Sequence, residues 1–150
     1  MWQRIQTVYL LIAIIVVLAC QFLTLGCIIP EAMEANITVT NWNVAGKDNI
    51  DDYTFCLGTF LNVANVYCCV AIFQYKRRKR QAWSCLVCAM SMMIWYATFA
   101  ALYFIEYQAL GDFRPSFALC LPFVAFILHT LARKAILKDE ALVRAADRIR

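Results

Sequence analysis

Eight cysteines, at positions 20, 27, 56, 68, 69, 85, 88 and 120, offer this chain more chemistry than any other residue type. Cys85 and Cys88 form a C-x-x-C, the spacing of a redox dithiol in soluble reductases. The reactive species is the thiolate, which needs water or a neighbouring cation, and every one of the eight cysteines falls in or at the edge of an apolar stretch. Redox catalysis is therefore the third-ranked reading. A metal site would need Cys68, Cys69, Cys85 and Cys88 to converge tetrahedrally, with His129 as a further donor. Nothing in the spacing demands it, and a lone histidine such as His129 is expected to face headgroups or to be hydrogen-bonded. Neither a cofactor nor a metal is expected, and the chain does not read as an enzyme. Cys27, Cys56 and Cys120 lie near one end of their segments, where a disulfide is conceivable in an oxidising compartment if two Cα atoms come within about 7 Å.

Transport makes a different demand. Ion-coupled carriers keep a titratable group inside the membrane, and no Asp, Glu, Lys or Arg lies deep in any apolar stretch. The most polar candidates there are Gln21, Asn62 and Asn65, which interhelical hydrogen bonds explain. A small transporter or channel is the alternative to the leading reading.

The elements that hold these residues are set by the absence of charge. Ile5 to Pro30, Tyr53 to Tyr75, Gln81 to Ile105 and Pro115 to Ala132 carry no Asp, Glu, Lys or Arg. About 20 helical residues cross the roughly 30 Å hydrocarbon core of a bilayer. Helices of a soluble bundle would each show a polar face, and these stretches show none. The expected fold is an all-α membrane protein, an antiparallel four-helix transmembrane bundle with a cytoplasmic amphipathic C-terminal helix. Its spans cover about 6–29, 53–75, 81–105 and 114–133, with an exported loop at 30–52 and a cytoplasmic tail helix at 134–150. The remaining pieces leave no room for a separate soluble catalytic domain.

Cytoplasmic flanks retain Lys and Arg. Arg4 precedes the first span, Lys76, Arg77, Arg78, Lys79 and Arg80 fill the second connection, and Arg133, Lys134, Lys138, Arg144, Arg148 and Arg150 follow the fourth. Only Lys47 and Arg114 occupy the other loops, which hold seven acidic residues. Both termini and the basic turn are thus expected in the cytoplasm. Val17-Leu18-Ala19-Cys20 looks like a lipoprotein cleavage box, but apolar sequence continues through Ile29, so the first span is expected to be retained.

In the exported loop, Ile37 to Val44 is rich in β-branched residues and fits a short strand or hairpin arm ending in the turn Ala45-Gly46-Lys47-Asp48, with Trp42 at the interface. Asn36-Ile37-Thr38 matches a glycosylation acceptor, of consequence only in a eukaryotic secretory pathway. The five consecutive cations force the second and third spans into an antiparallel hairpin; they read first as a topology anchor and second as contacts for anionic lipid headgroups. Glu106 to Arg114 reads as a tight cap. Pro115 suits a helix's first turn, and Pro122 predicts a modest kink. Beyond Arg133, Leu131, Ala135, Leu142, Ala146 and Ile149 fall on one stripe and Arg133, Glu140, Arg144, Asp147 and Arg148 fall opposite, with a favourable Glu140–Arg144 pair.

The two ends carry a resemblance. Met1-Trp2-Gln3-Arg4-Ile5-Gln6-Thr7-Val8-Tyr9-Leu10, together with Leu131-Ala132-Arg133-Lys134-Ala135-Ile136-Leu137-Lys138-Asp139-Glu140-Ala141-Leu142-Val143-Arg144-Ala145-Ala146-Asp147-Arg148-Ile149-Arg150, resembles a family of small bacterial inner-membrane proteins. That family is known only as a domain of unknown function with four predicted spans. The resemblance covers the whole chain in layout and is specific at the ends; it implies the architecture and a bacterial setting, with no activity. The abundant cysteines depart from it. It concentrates on Gln3, Arg4 and Gln6 and on Lys138, Asp139, Glu140, Arg144, Asp147 and Arg148, which share one side of the membrane. The leading expectation is a non-enzymatic scaffold or accessory subunit whose cytoplasmic face binds a protein partner or a second copy, amid membrane lipids and without nucleic acid.

Overall fold

The computed structural model describes residues 5–30, 35–45, 54–74 and 77–147. Four helices dominate it: α1 (Ile5–Phe22), α2 (Phe55–Phe73), α3 (Arg78–Ile105) and α4 (Leu121–Asp147). Each is long and apolar enough to cross a membrane. At about 1.5 Å per residue, the 18 residues of α1 reach about 27 Å and the 28 of α3 about 42 Å. The helices form an antiparallel bundle in which α1 packs on α4, α4 on α3 and α3 on α2, with a thinner seam between α1 and α2.

The fold is mostly helical rather than all-α. Four short strands, β1 (Gly26–Ile29), β2 (Ile37–Val39), β3 (Val44–Ala45) and β4 (Asp112–Pro115), form an antiparallel sheet in the order β3-β2-β1-β4 across one end of the bundle. The expected first span to residue 29 is therefore too long, since α1 stops at Phe22 and Gly26–Ile29 is a strand. A short uncharged run reads the same in a buried strand as in a helix, and the β-branched pair Ile28-Ile29 favours the strand. Gly26 is required there: a Cβ would stand 2.4 Å from the Phe113 ring and 2.7 Å from the Arg114 carbonyl oxygen.

The segment expected to be a tight cap, Glu106 to Arg114, instead forms a 3-10 turn (Tyr107–Ala109) and then β4. Its turn rests on Gly111, whose φ of 138° lies in the region open to glycine. Pro115 does not start a helix; it ends the edge strand β4, a place where a missing N–H is tolerated. Pro122 is the second residue of α4, so the expected kink does not arise: the first turn has no intrahelical bond for proline to remove. Among the described residues the expected tail is not a separate helix either. Nothing between Phe123 and Asp147 is Gly or Pro, and α4 runs unbroken across Arg133 and Lys134.

Two buried clusters fill the bundle. The sheet-end cluster is large and aromatic, with Trp95 stacked on Phe99 at 5.6 Å and Phe99 against Phe113 at 5.8 Å. The cluster at the opposite, basic end is built from Ala71, Ala82, Cys68, Cys85 and Cys88 around Leu10 and Ile136. Small residues there let backbones approach closely. Other large apolar side chains face outward at both ends, Phe22, Phe104 and Phe117 near the sheet and Phe73 and Trp83 near the basic turn. An outer surface of this kind suits lipid and is rare in water-soluble monomers.

Candidate functional site

The sheet end is locked by hydrogen bonds from a loop residue, Asn41, and a helix residue, Tyr96 of α3. Asn41 is fully buried; its side-chain amide donates to the Cys20 carbonyl at 2.7 Å, and its carbonyl oxygens accept from Trp95 Nε1 at 3.1 Å and from the Gly58 amide at 2.9 Å. Cys20 lies in the last turn of α1 and Gly58 in the first turn of α2, so this one residue reaches a terminal carbonyl of one helix and a terminal amide of the next. Tyr96 does the same for α4: its hydroxyl donates to Leu119 O at 2.6 Å and accepts from the Phe123 amide at 3.2 Å. Trp42, expected at the interface, packs over Gly58 and against Phe55 at 5.5 Å. Neither Asn41 nor Tyr96 carries a local signal that would have marked it. Gly46, Lys47 and Asp48 of the expected turn lie outside the described residues.

The basic end is the more open one. Arg78 opens α3 and reaches across to α4, donating to the Asp139 main-chain oxygen at 3.0 Å and standing 3.6 Å from its carboxylate. Gln6 of α1 donates to Ala135 O at 3.2 Å. Glu140 and Arg144 form the i,i+4 ion pair on α4. Arg77, Lys79, Arg80 and Lys138 are exposed. Gln3, Arg4, Lys76 and Arg148 lie outside the described residues, as does the side chain of Asp147.

The stripe of α4 that faces the bundle differs from the apolar stripe read beyond Arg133. Ala125, His129, Ala132 and Ile136 face the bundle, while Leu131, Leu142 and Val143 point outward. In a lipid surround the larger apolar groups would gain nothing from burial, and small side chains take the interior. His129 likewise faces inward rather than toward headgroups: it is 1% exposed, and its Nδ1 has no hydrogen-bond partner among the described residues.

Between α3 and α4 at this end lies a groove of about 410 Å³. Ala82, Trp83 and Leu86 on one wall and Leu137 and Ala141 on the other make it largely apolar, and Lys79, Arg133, Arg144 and Glu140 also line it. A second, shallower groove of about 520 Å³ shares Lys79, Glu140 and Arg144 and adds Arg77, Arg78 and Arg80.

The interior polar residues divide. Gln21 Nε2 donates to Asn62 Oδ1 at 3.1 Å across the α1–α2 seam, whereas the buried Asn65 Nδ2 has no partner among the described residues. The thiols of Cys68 and Cys88 point at the main-chain oxygens of Leu10 (3.6 Å) and Ala64 (3.4 Å), and Cys85 is buried with them. Cys69 faces outward, so the four cysteines named as a tetrahedral set do not converge. Among the described residues no three His, Cys, Asp or Glu side chains form a group able to hold a metal ion. Cys27 sits on β1 opposite Arg114, Cys56 and Cys120 are exposed, and all three are free thiols.

Neither a curated protein nor a solved structure matches the chain. A family model does match, over residues 2–149, nearly the whole length, and it takes in both the locked sheet end and the open basic end. The chain belongs to the family described as Domain of unknown function (DUF4293).

Proposed function

We propose that the protein is a scaffold or accessory subunit of a bacterial inner membrane, non-enzymatic, with its termini and basic turn in the cytoplasm and its basic end as the binding face. The cation-rich turn at residues 76–80 and the acidic character of the opposite loops support this orientation. One observation carries the functional reading. Beyond Ile136 no described side chain of α4 is buried, and residues 141–145 are all exposed. The helix therefore presents Leu142 (62% exposed) and Val143 (42% exposed) beside the Glu140–Arg144 pair, outside the bundle that its own chain supplies. An amphipathic helix end held in place by Arg78 and Gln6 suits a partner's groove.

A photo-crosslinking residue at Leu142 in intact membranes, followed by mass spectrometry, captures the companion. Replacing Glu140 and Arg144 together releases it while membrane insertion is unchanged; undiminished co-purification would overturn the reading.

A second reading, a small proton-coupled transporter, is favoured by His129, a titratable side chain inside the bundle with an unpartnered nitrogen among the described residues. Proton flux in proteoliposomes that is lost in His129→Ala would support it.

A further inference from the structure

We propose that the groove between α3 and α4 holds an anionic phospholipid from the surrounding leaflet, with its phosphodiester between Lys79 and Arg133 and an acyl chain running on past Leu86. This goes beyond the partner reading and does not depend on it, resting only on the four helices crossing a membrane.

Helical spacing builds the groove. Lys79, Ala82, Trp83 and Leu86 follow one face of α3 at intervals of 3 and 4, and Arg133, Leu137, Glu140 and Arg144 follow one face of α4. The α3 face runs from Leu86 through Trp83 and Ala82 to Lys79, the polarity order of a lipid from tail to headgroup, while the α4 face places Arg133 below Leu137 and Glu140 and Arg144 above it. Lys79, Arg133 and Arg144 against Glu140 leave the groove lining with a surplus of two positive charges.

Arg133 is the most telling member. It lies six residues before Asp139, the level at which α3 and α4 exchange the Arg78 contact, and so about 9 Å deeper along the helix. A guanidinium at that depth must snorkel or find an anion. Within the described residues no carboxylate is within ion-pair distance of Arg133 or Lys79, and Glu140 is taken by Arg144. Arg133 also points onto the groove rather than into the bundle, whose interior on α4 is lined by Ala125, His129, Ala132 and Ile136. A phosphodiester drawn down beside Trp83 would meet Lys79 from above and Arg133 from below. Trp83, 67% exposed, has the amphipathic ring that settles at headgroup level. Basic clefts between helices at such a depth are where lipid headgroups dock.

Native mass spectrometry of the detergent-purified full chain tests this with phosphatidylglycerol and phosphatidylcholine as probes. Phosphatidylglycerol is expected to stay bound at collision energies that strip phosphatidylcholine; equal retention overturns the proposal. Lys79→Gln with Arg133→Gln is expected to weaken phosphatidylglycerol binding roughly tenfold or more, the effect of two juxtamembrane cations. Lys134→Gln with Lys138→Gln removes the same charge outside the groove and should leave binding within about twofold. Equal loss in the two doubles, or loss in neither, overturns the site. Arg133→Lys should keep most of the binding, which separates charge from any packing role. Displacement of the lipid by excess inorganic phosphate would show an anion site open to water and would also overturn it.

Discussion

The Trp95 indole nitrogen donates to Asn41 Oδ1 at 3.1 Å, joining the middle of α3 to a loop residue that also bridges the facing ends of α1 and α2. Both side chains are wholly buried. Asn41→Ala strands the Trp95 N–H and the Cys20 carbonyl without partners. A buried unsatisfied group costs about 1–3 kcal/mol, so a loss of about 2–4 kcal/mol is expected. Trp95→Phe keeps the ring stack on Phe99, deletes one bond and is expected to cost less. A double-mutant cycle read by thermal unfolding in detergent measures the coupling; additive effects would show that the bond carries no stability.

Gly58 sits beneath that loop. An added Cβ would lie 2.8 Å from the Trp42 ring and 2.9 Å from the Asn41 carbonyl oxygen that its own amide bonds. Gly58→Ala is therefore expected to destabilise by about 1–3 kcal/mol, the range of overpacked sites. Adding Trp42→Ala should recover part of the loss by removing the ring contact, never all of it, because the main-chain contact remains. Full recovery would mean that the loop shifts freely.

Arg78 is the cross-link at the other end. Its bond to the Asp139 main-chain oxygen holds α4 beside the first turn of α3 where the two helices leave the apolar core. Arg78→Gln should cost only about 1 kcal/mol of global stability, as expected for a partly exposed contact. Its effect is local: limited proteolysis after residue 139 should accelerate several-fold while the rest of the bundle stays protected. Unchanged cleavage would show that Gln6 alone holds the helix.

How much of this could be read from the chain follows from what lipid does to residue patterns. The four long apolar helices are legible because a missing charge is visible one residue at a time. Gln21 and Asn62 are legible for the same reason, as polar groups in apolar surroundings, although their pairing needed the fold. The inward stripe of α4 is not legible by size or apolarity, since Leu131 and Leu142 outrank Ala132 in both and yet face out. The strand at Gly26–Ile29 is hidden inside an apolar run whose helical part ends without a charge or a proline. Asn41 is the hardest case. Its role depends on the loop folding back between α1 and α2, a long-range event with no trace in the residues around it.

Cys56 and Cys120 stand exposed near the sheet end, on α2 and in the 3-10 turn before α4, whereas Cys20, Cys68, Cys85 and Cys88 are buried. A membrane-impermeant maleimide therefore distinguishes both sidedness and packing. With the basic end in the cytoplasm, reagent added to intact spheroplasts should modify Cys56 and Cys120, and replacing both by Ser should remove most of the label. Half-buried Cys27 accounts for any remainder. The buried four should react only after denaturation, because their thiols have neither water nor space for the reagent. Labelling confined to inverted vesicles would reverse the topology, and with it the face on which both the α4 surface and the lipid groove are placed. Rapid labelling of Cys85 or Cys88 in the native protein would contradict the closely packed core at the basic end and revive the dithiol chemistry that their spacing suggests.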